Sequence, residues 1–233
     1  MDIREALTYF NLTRQEATIY ITLTINASMT GYEVAKETGI SRSNVYTTLA
    51  TLVEKGAAYL IEDSAKHYTP VAIGEFCSNK IRQMEGLKEI LVNKMPKRQE
   101  EDEGYITIKG KSNILDKIRN MLTKAEKRVY MSLAGETLQT VLPQINDAIL
   151  RDLKIVIITK PPFDCKDALI YHTEEKQNQI RVIVDSAKVL TGEITDENNS
   201  NCLYSKKQNL VDLFKESLKN EIKLLELTKT KLS

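Results

Sequence analysis

The sequence predicts an α+β protein with a helical N-terminal part, one long connecting helix and a C-terminal α/β part. Three observations carry this reading. From Met1 to Lys55 apolar residues recur at three- and four-residue steps; from Ile73 to Met95 a single apolar seam runs unbroken; from Tyr105 onward short apolar runs alternate with amphipathic stretches. The last pattern is that of strands and helices alternating around a buried sheet. A chain of 233 residues is long enough for two domains of ordinary size.

The N-terminal part is organised around Met29 to Lys55, MTGYEVAKETGISRSNVYTTLATLVEK. Thr30 and Glu33 have capping-box spacing, so a helix starts near Gly31. Gly39 ends it, since glycine tolerates the left-handed conformation after a helix. Ser41 then caps a second helix. Val45, Leu49, Leu52 and Val53 share one face of that helix. Ser43, Thr47 and Ala50 fall on the opposite face, with Asn44 and Tyr46 on the flanks. Small and polar residues at the start of a helix anchored on its other side suit entry into a DNA major groove. A plain pair of packed helices gives much the same pattern, so the flanking elements matter.

Upstream, Met1 to Phe10 reads as a helix with Ile3, Ala6, Leu7 and Phe10 on one face. Arg14 to Ile25 reads as another, capped by Thr13 and Glu16, with Ala17, Tyr20, Ile21 and Ile25 inward. Downstream, Gly56 ends the second helix of the pair. Ala57 to Val71 alternates as a hairpin turning at Asp63-Ser64, with Lys66 and His67 at or just after its tip. Helix, helix, helix, hairpin is the order of a winged helix-turn-helix. His67 is expected to hydrogen-bond locally rather than to act as a pH switch.

Gly74 to Met95 reads as one helix whose seam (Ile73, Cys77, Ile81, Met84, Leu87, Leu91, Met95) resembles a short coiled coil and is expected to join two subunits. Pro96 stops it, and Lys97 to Gly104, KRQEEDEG, is a charged linker. Strands follow at Tyr105-Ile108, Val129-Leu133, Ile155-Ile158, Ile180-Val184, Lys188-Leu190 and Cys202-Tyr204. Helices are expected at Lys111-Glu126, Leu138-Leu150 and Gln208-Leu227, with Pro161-Pro162 opening a loop.

Composition narrows the function classes. No apolar run approaches the roughly 18 residues of a membrane span, and MDIREALTYF does not read as a signal peptide. Three scattered cysteines, Cys77, Cys165 and Cys202, fit reduced thiols in a cytoplasm; with His67 and His172 they have no metal-ligand spacing. No metal or cofactor is therefore expected. Charge argues for caution about DNA. Residues 1–70 hold six basic residues (Arg4, Arg14, Lys36, Arg42, Lys55, Lys66) against eight acidic ones, a net of −2. Duplex binding draws much of its affinity from phosphate neutralisation, so these few cations must be gathered on one surface, and a dimer would double them.

The segments LTRQEATIYITL, GISRSNVYTTLATLVEKG and KHYTPV together resemble the TrmB family of transcriptional regulators. Asn11 stands where the family usually has glycine. In the second half, GKSNILDKIRNMLTKAEKRVYMSL, VIVDSAKVLTGE and YSKKQNLVDLFKESL are similar to the phospholipase D-like domain that follows the winged helix in that family. The resemblance implies a regulatory domain able to sense a metabolite, often a sugar in characterised members. Active phospholipase D-type enzymes need H-x-K-x-x-x-x-D. If Asp185 is the aspartate of that motif, Asn178 and Ile180 hold the histidine and lysine positions, and neither can do the chemistry. No catalytic residues are therefore assigned, and Asp185 reads as a turn residue. Asn178, Gln179, Arg181 and the Pro161-Phe163 loop are ligand candidates by location.

The resulting expectation is a cytoplasmic, homodimeric regulator binding double-stranded DNA at near-palindromic operators. Residues 1–72 form the winged helix-turn-helix, 73–104 the dimerisation helix and linker, and 105–233 the phospholipase D-like regulatory domain. Ser43, Asn44 and Thr47 are assigned to base edges; Arg42, Tyr46 and Lys66 to phosphates or edges, Arg42 alternatively to guanine; His67 lies in the same wing. The alternative is a protein-interaction or assembly module using the winged helix as a scaffold.

Overall fold

The computed structural model describes residues 2–62, 65–96, 104–173 and 178–230. The chain divides into two compact units, residues 1–98 and 99–233.

The first unit begins with α1 (Ile3–Thr8), α2 (Arg14–Asn26) and a two-residue strand β1 (Met29–Thr30). It continues with α3 (Gly31–Thr38), α4 (Arg42–Glu54), the hairpin β2 (Ala58–Glu62) and β3 (Lys66–Pro70), and the long α5 (Ile73–Lys94). The winged helix order is as the sequence predicts. Both capping boxes form: Glu16 N donates to Thr13 Oγ1 at 3.2 Å, Thr13 N to Glu16 Oε2 at 2.7 Å, and Thr30 N to Glu33 Oε2 at 2.8 Å. Gly39 is left-handed at φ 70°, and so is Asn11, the residue in place of the family glycine, at φ 69°. An asparagine tolerates that conformation better than most residues. Ser41 stands at the start of α4, but its side chain makes no capping bond.

The core of this unit gathers Leu7, Leu12, Ala17, Ile19, Tyr20, Leu23, Val34, Val45, Leu49 and Leu52 around Phe76. Two expected inward residues face out instead: Ile3 is 70% exposed and Ile25 76%. In α2 the chain offers two overlapping apolar stripes, and the one containing Ile19 and Leu23 is buried. Periodicity alone cannot choose between stripes that differ by one or two residues. Tyr20 donates its hydroxyl to the Val71 carbonyl at 2.7 Å, tying α2 to the end of the hairpin. Strand β1, absent from the sequence reading, adds to the edge of β3, giving the order β1-β3-β2. The turn assigned to Asp63-Ser64 and most of the charged linker lie outside the described residues.

The long helix α5 is anchored at one end. Phe76 is fully buried, with its ring centroid 5.8 Å from that of Tyr20 and 6.5 Å from that of Phe10. Beyond it Ile81, Met84, Leu87, Leu91 and Met95 are all about half exposed or more. The apolar residues of that stripe are thus largely exposed among the described residues.

The second unit is a seven-stranded mixed sheet with helices on both faces, the layered arrangement expected of the phospholipase D-like half. Its elements are β4 (Tyr105–Lys109), α6 (Lys111–Thr123), β5 (Arg128–Ser132), α7 (Gly135–Leu150), β6 (Lys154–Thr159) and β7 (Leu169–His172). They continue with β8 (Gln179–Val184), β9 (Lys188–Glu193), β10 (Asn201–Ser205) and α8 (Gln208–Thr230). The strand order is β4-β10-β9-β8-β5-β6-β7. Strands β5, β6 and β7 are parallel; the other pairings are antiparallel. Side chains alternate across the sheet: Ile155, Ile157, Val182 and Val184 pack with Ile114, Ile118, Leu138 and Ile145 of α6 and α7. On the other face Ile158 and Ile183 pack with Val211 and Leu218 of α8. Strand β7 lies in the stretch read as loop, and as an edge strand of four residues it left only a short pattern to find.

Candidate nucleic-acid interface

Helices α3 and α4 enclose the turn Gly39–Ser41. Val45, Thr48, Leu49 and Leu52 anchor α4 inward, while Arg42, Ser43, Asn44, Tyr46, Thr47 and Ala50 are exposed. The outward face is therefore the one that the sequence pattern selects. Thr47 donates its hydroxyl to the Ser43 carbonyl at 3.1 Å, which leaves its oxygen able to accept.

Two contacts position the ends of this face. The Arg42 guanidinium lies over the Tyr32 ring at 4.4 Å from its centroid, a cation–π contact that steadies a long side chain in water. Tyr46, expected on a flank and assigned to phosphates or edges, lies against Gly31: a Cβ built there would be 2.5 Å from Tyr46 Cε1. Sequence reasoning identified neither partner, because Gly31 and Tyr32 read simply as the first turn of α3.

In the wing, Lys66 forms an exposed ion pair with Glu62 at 3.1 Å. That carboxylate holds the Lys66 ammonium above its ordinary pKa. His67 Nδ1 is 2.9 Å from the Ala65 carbonyl, the local hydrogen bond expected of it. A third cation is taken up by the scaffold. Lys55 Nζ reaches both oxygens of Glu16 at 2.7 and 2.9 Å, with the Glu16 side chain 7% exposed. Burial pushes the Glu16 carboxyl up, but Lys55 and Thr13 outweigh it and leave the pKa below its ordinary value. This pair ties α2 to the end of α4. The outward cations near the pair of helices are then Arg42 and Lys36, with Lys66 in the wing.

In the second unit the motif positions lie along β8 and at its two ends, and each side chain meets different surroundings. Ile180 is buried in the core beneath α6 and α7. Asn178 is exposed and borders a cavity of about 170 Å³ with Lys111, Glu136, Thr137 and Thr140. His172 ends β7, three ladder steps from β8, about 14 Å at ordinary strand spacing. Arg181 is not available as a ligand group. It is buried on the α8 face, paired with Glu221 at 2.7 Å and bonded to Ser132 Oγ at 3.1 Å. Phe163 is likewise buried.

Asp185 does more than turn its own backbone. It sits at φ 54° in the β8–β9 turn, yet its carboxylate accepts N–H bonds from Glu126, Lys127 and Arg128 at 2.8 to 3.0 Å. Burial pushes its pKa up, but these donors outweigh that and hold it below the ordinary range. Burial also raises all three thiols, Cys202 to about 12, so none is a ready thiolate. Among the described residues no helix is long and apolar enough to cross a membrane.

Residues 7–73 match the model of the sugar-specific transcriptional regulator TrmB, and residues 104–220 that of the EBD N-terminal subdomain of the transcriptional regulator TrmB. The uncharacterised protein YrhO of Bacillus subtilis is 25% identical over 97% of this chain and 86% of its own length. The HTH-type sugar sensing transcriptional regulator TrmBL1 of Pyrococcus furiosus is 27% identical over 64% of this chain, a match that spans 46% of that protein. Among solved structures, TrmBL2, an archaeal chromatin protein, aligns over 95% of this chain and 97% of its own at 19% identity and a TM-score of 0.48. With the second family model alone covering half of the sequence, and the first covering the winged helix, this chain belongs to the TrmB family of transcriptional regulators.

Proposed function

We infer that the protein is a cytoplasmic, DNA-binding transcriptional regulator that acts as a homodimer on near-palindromic operators. The observation that carries this reading is the outward face of α4. Ser43, Asn44 and Thr47 stand exposed on a helix whose other side is buried, with Arg42 steadied on Tyr32 beside them. Ser43, Asn44 and Thr47 contact base edges; Arg42, Tyr46 and Lys66 contact phosphates or edges; His67 accompanies Lys66 in the wing. The uncovered seam on α5 supplies the dimer contact. The C-terminal domain is a non-catalytic sensor or dimer platform for a small-molecule effector; TrmBL1, a relative of this chain, is named as sugar sensing. The three parts are residues 1–72, 73–104 and 105–233.

Selection of bound DNA from randomised oligonucleotides tests the reading. An enriched inverted repeat, with half-sites about one helical turn or a multiple apart, is expected. No enrichment, together with affinity that ignores salt, would favour a protein-interaction module. The engagement of Lys55 by Glu16 favours that second reading, because it removes a cation from an already acidic domain.

A further inference from the structure

We propose that a basic cavity on the α6 face of the C-terminal domain binds a small phosphorylated metabolite. The cavity has a volume of about 260 Å³. Seven described residues line it; four are Lys117, Lys124, Lys188 and Lys206, and none is Asp or Glu. They come from three places in the fold: α6, the start of β9 and the end of β10. Lys117 and Lys188 are half-buried, so their charges are less screened than at an open surface. A cleft lined by one sign of charge focuses the field and concentrates the opposite ion.

The chemistry of the lining narrows the ligand. The Lys117 ammonium is held 3.6 Å from the centroid of the Tyr204 ring, which fixes its position before any ligand arrives. Asp185, which Lys188 influences electrostatically, already spends both carboxylate oxygens on backbone N–H donors. Ammonium groups serve as point-charge partners for phosphate oxygens, and the Asn120 amide beside them can bond a hydroxyl. The cavity adjoins the β8–β9 turn, where Lys188 pairs with Val184. Asn178 and Ile180 lie at the far end of β8, most of a strand length or roughly 17 Å away. It is therefore a separate place from the positions of the motif's histidine and lysine, though next to that of its aspartate. A compact molecule with two or more phosphate charges fits the volume and the charge. Only its coupling to DNA rests on the sensor role proposed above.

Calorimetric titration of the full chain with inorganic pyrophosphate, glucose 6-phosphate and glucose tests this. Both phosphorylated probes should bind and glucose should not. Lys117→Gln with Lys188→Gln should weaken binding by about tenfold or more, one charge-assisted bond being worth at least that. Lys124→Gln with Lys206→Gln, at exposed positions, should do the same without disturbing the half-buried pair. Absence of heat from both probes, or affinity unchanged in both variants, would overturn the proposal. Overturned equally, in favour of a DNA-backbone surface, is the case in which the variants lose DNA affinity with no probe present but keep their pyrophosphate affinity. Pyrophosphate binding in a protein that selects no DNA upholds the cavity and removes the regulator reading instead.

Discussion

The ring of Tyr46 occupies the space that a side chain at Gly31 would need, with 2.5 Å from a Cβ there to Tyr46 Cε1. Tyr46 is 48% exposed, so its ring can swing aside without opening the core. Alanine also gains up to about 1 kcal/mol of helix propensity over glycine. Gly31→Ala should therefore leave stability within about 1 kcal/mol of the parent while displacing Tyr46. DNA affinity should fall as much as in Tyr46→Ala. Chemical denaturation and DNA titration check the two halves, and an unmoved affinity would remove Tyr46 from the interface.

Arg42→Ala and Lys66→Ala should each weaken DNA binding. A lost phosphate contact should reduce the log–log salt slope by about 1 per site. Lys66 must first leave Glu62, a weak, fully solvated pair. Glu62→Gln should then raise affinity slightly, measurable in the same titrations.

Breaking the Lys55–Glu16 pair should destabilise the first unit. Lys55→Met leaves a carboxylate with 7% side-chain exposure whose remaining partner among the described residues is Thr13, its backbone N–H donating at 2.7 Å. A loss of roughly 3 kcal/mol is expected. The folded-state pKa of Glu16 is lowered, so its contribution is present above the unfolded value of about 4.5 and is lost as pH falls below it. Urea melts from pH 7 downward should show this acid-sensitive component in the parent and a smaller one in Lys55→Met.

Asp185→Asn should lower the stability of the second unit by roughly 1–2 kcal/mol, because an amide presents one acceptor oxygen where three backbone N–H groups now converge. It should change no phosphodiesterase activity, and the parent protein is expected to hydrolyse no phosphodiester. Metal-independent turnover lost in His172→Ala would refute this.

Leu87→Glu with Leu91→Glu should shift the protein towards monomer without unfolding either unit, since both side chains are about half exposed within one chain. Each buried Leu in a seam is worth roughly 1.5–3 kcal/mol. DNA affinity should fall further than one contact explains, because each half-site then binds alone. Sedimentation at micromolar protein measures the assembly. A variant that stays dimeric would move the contact to the C-terminal domain.

Helices with capping signals were legible to within a residue or two: Thr13 and Glu16, Thr30 and Glu33, and Gly39 each act locally, and local chemistry is written in adjacent positions. The outward face of α4 was legible for the same reason. What escaped the sequence depends on distance along the chain. Lys55 meets Glu16 across 39 positions and Asp185 meets Lys127 across 58, and no periodicity announces either. Strand β1 is only two residues long, and its existence depends on β3 being beside it. Ile25 faces out although it lies on an apolar stripe of α2, because burial is decided by neighbouring helices, not by the stripe itself.

Thr30 belongs to two structures at once. Its backbone pairs with His67 in the wing, while its side chain accepts the Glu33 N–H at the start of α3. The wing and the helix pair are therefore joined at Thr30, beside the pairing of Met29 with Tyr68. The reach from the α4 face to the wing strand is then set by that shared contact, like the gap of a caliper. If the α4 face and Lys66 both meet DNA as proposed, such a span would select duplexes by the width between a groove and its neighbouring backbone, and groove shape would be read at base pairs that no side chain touches.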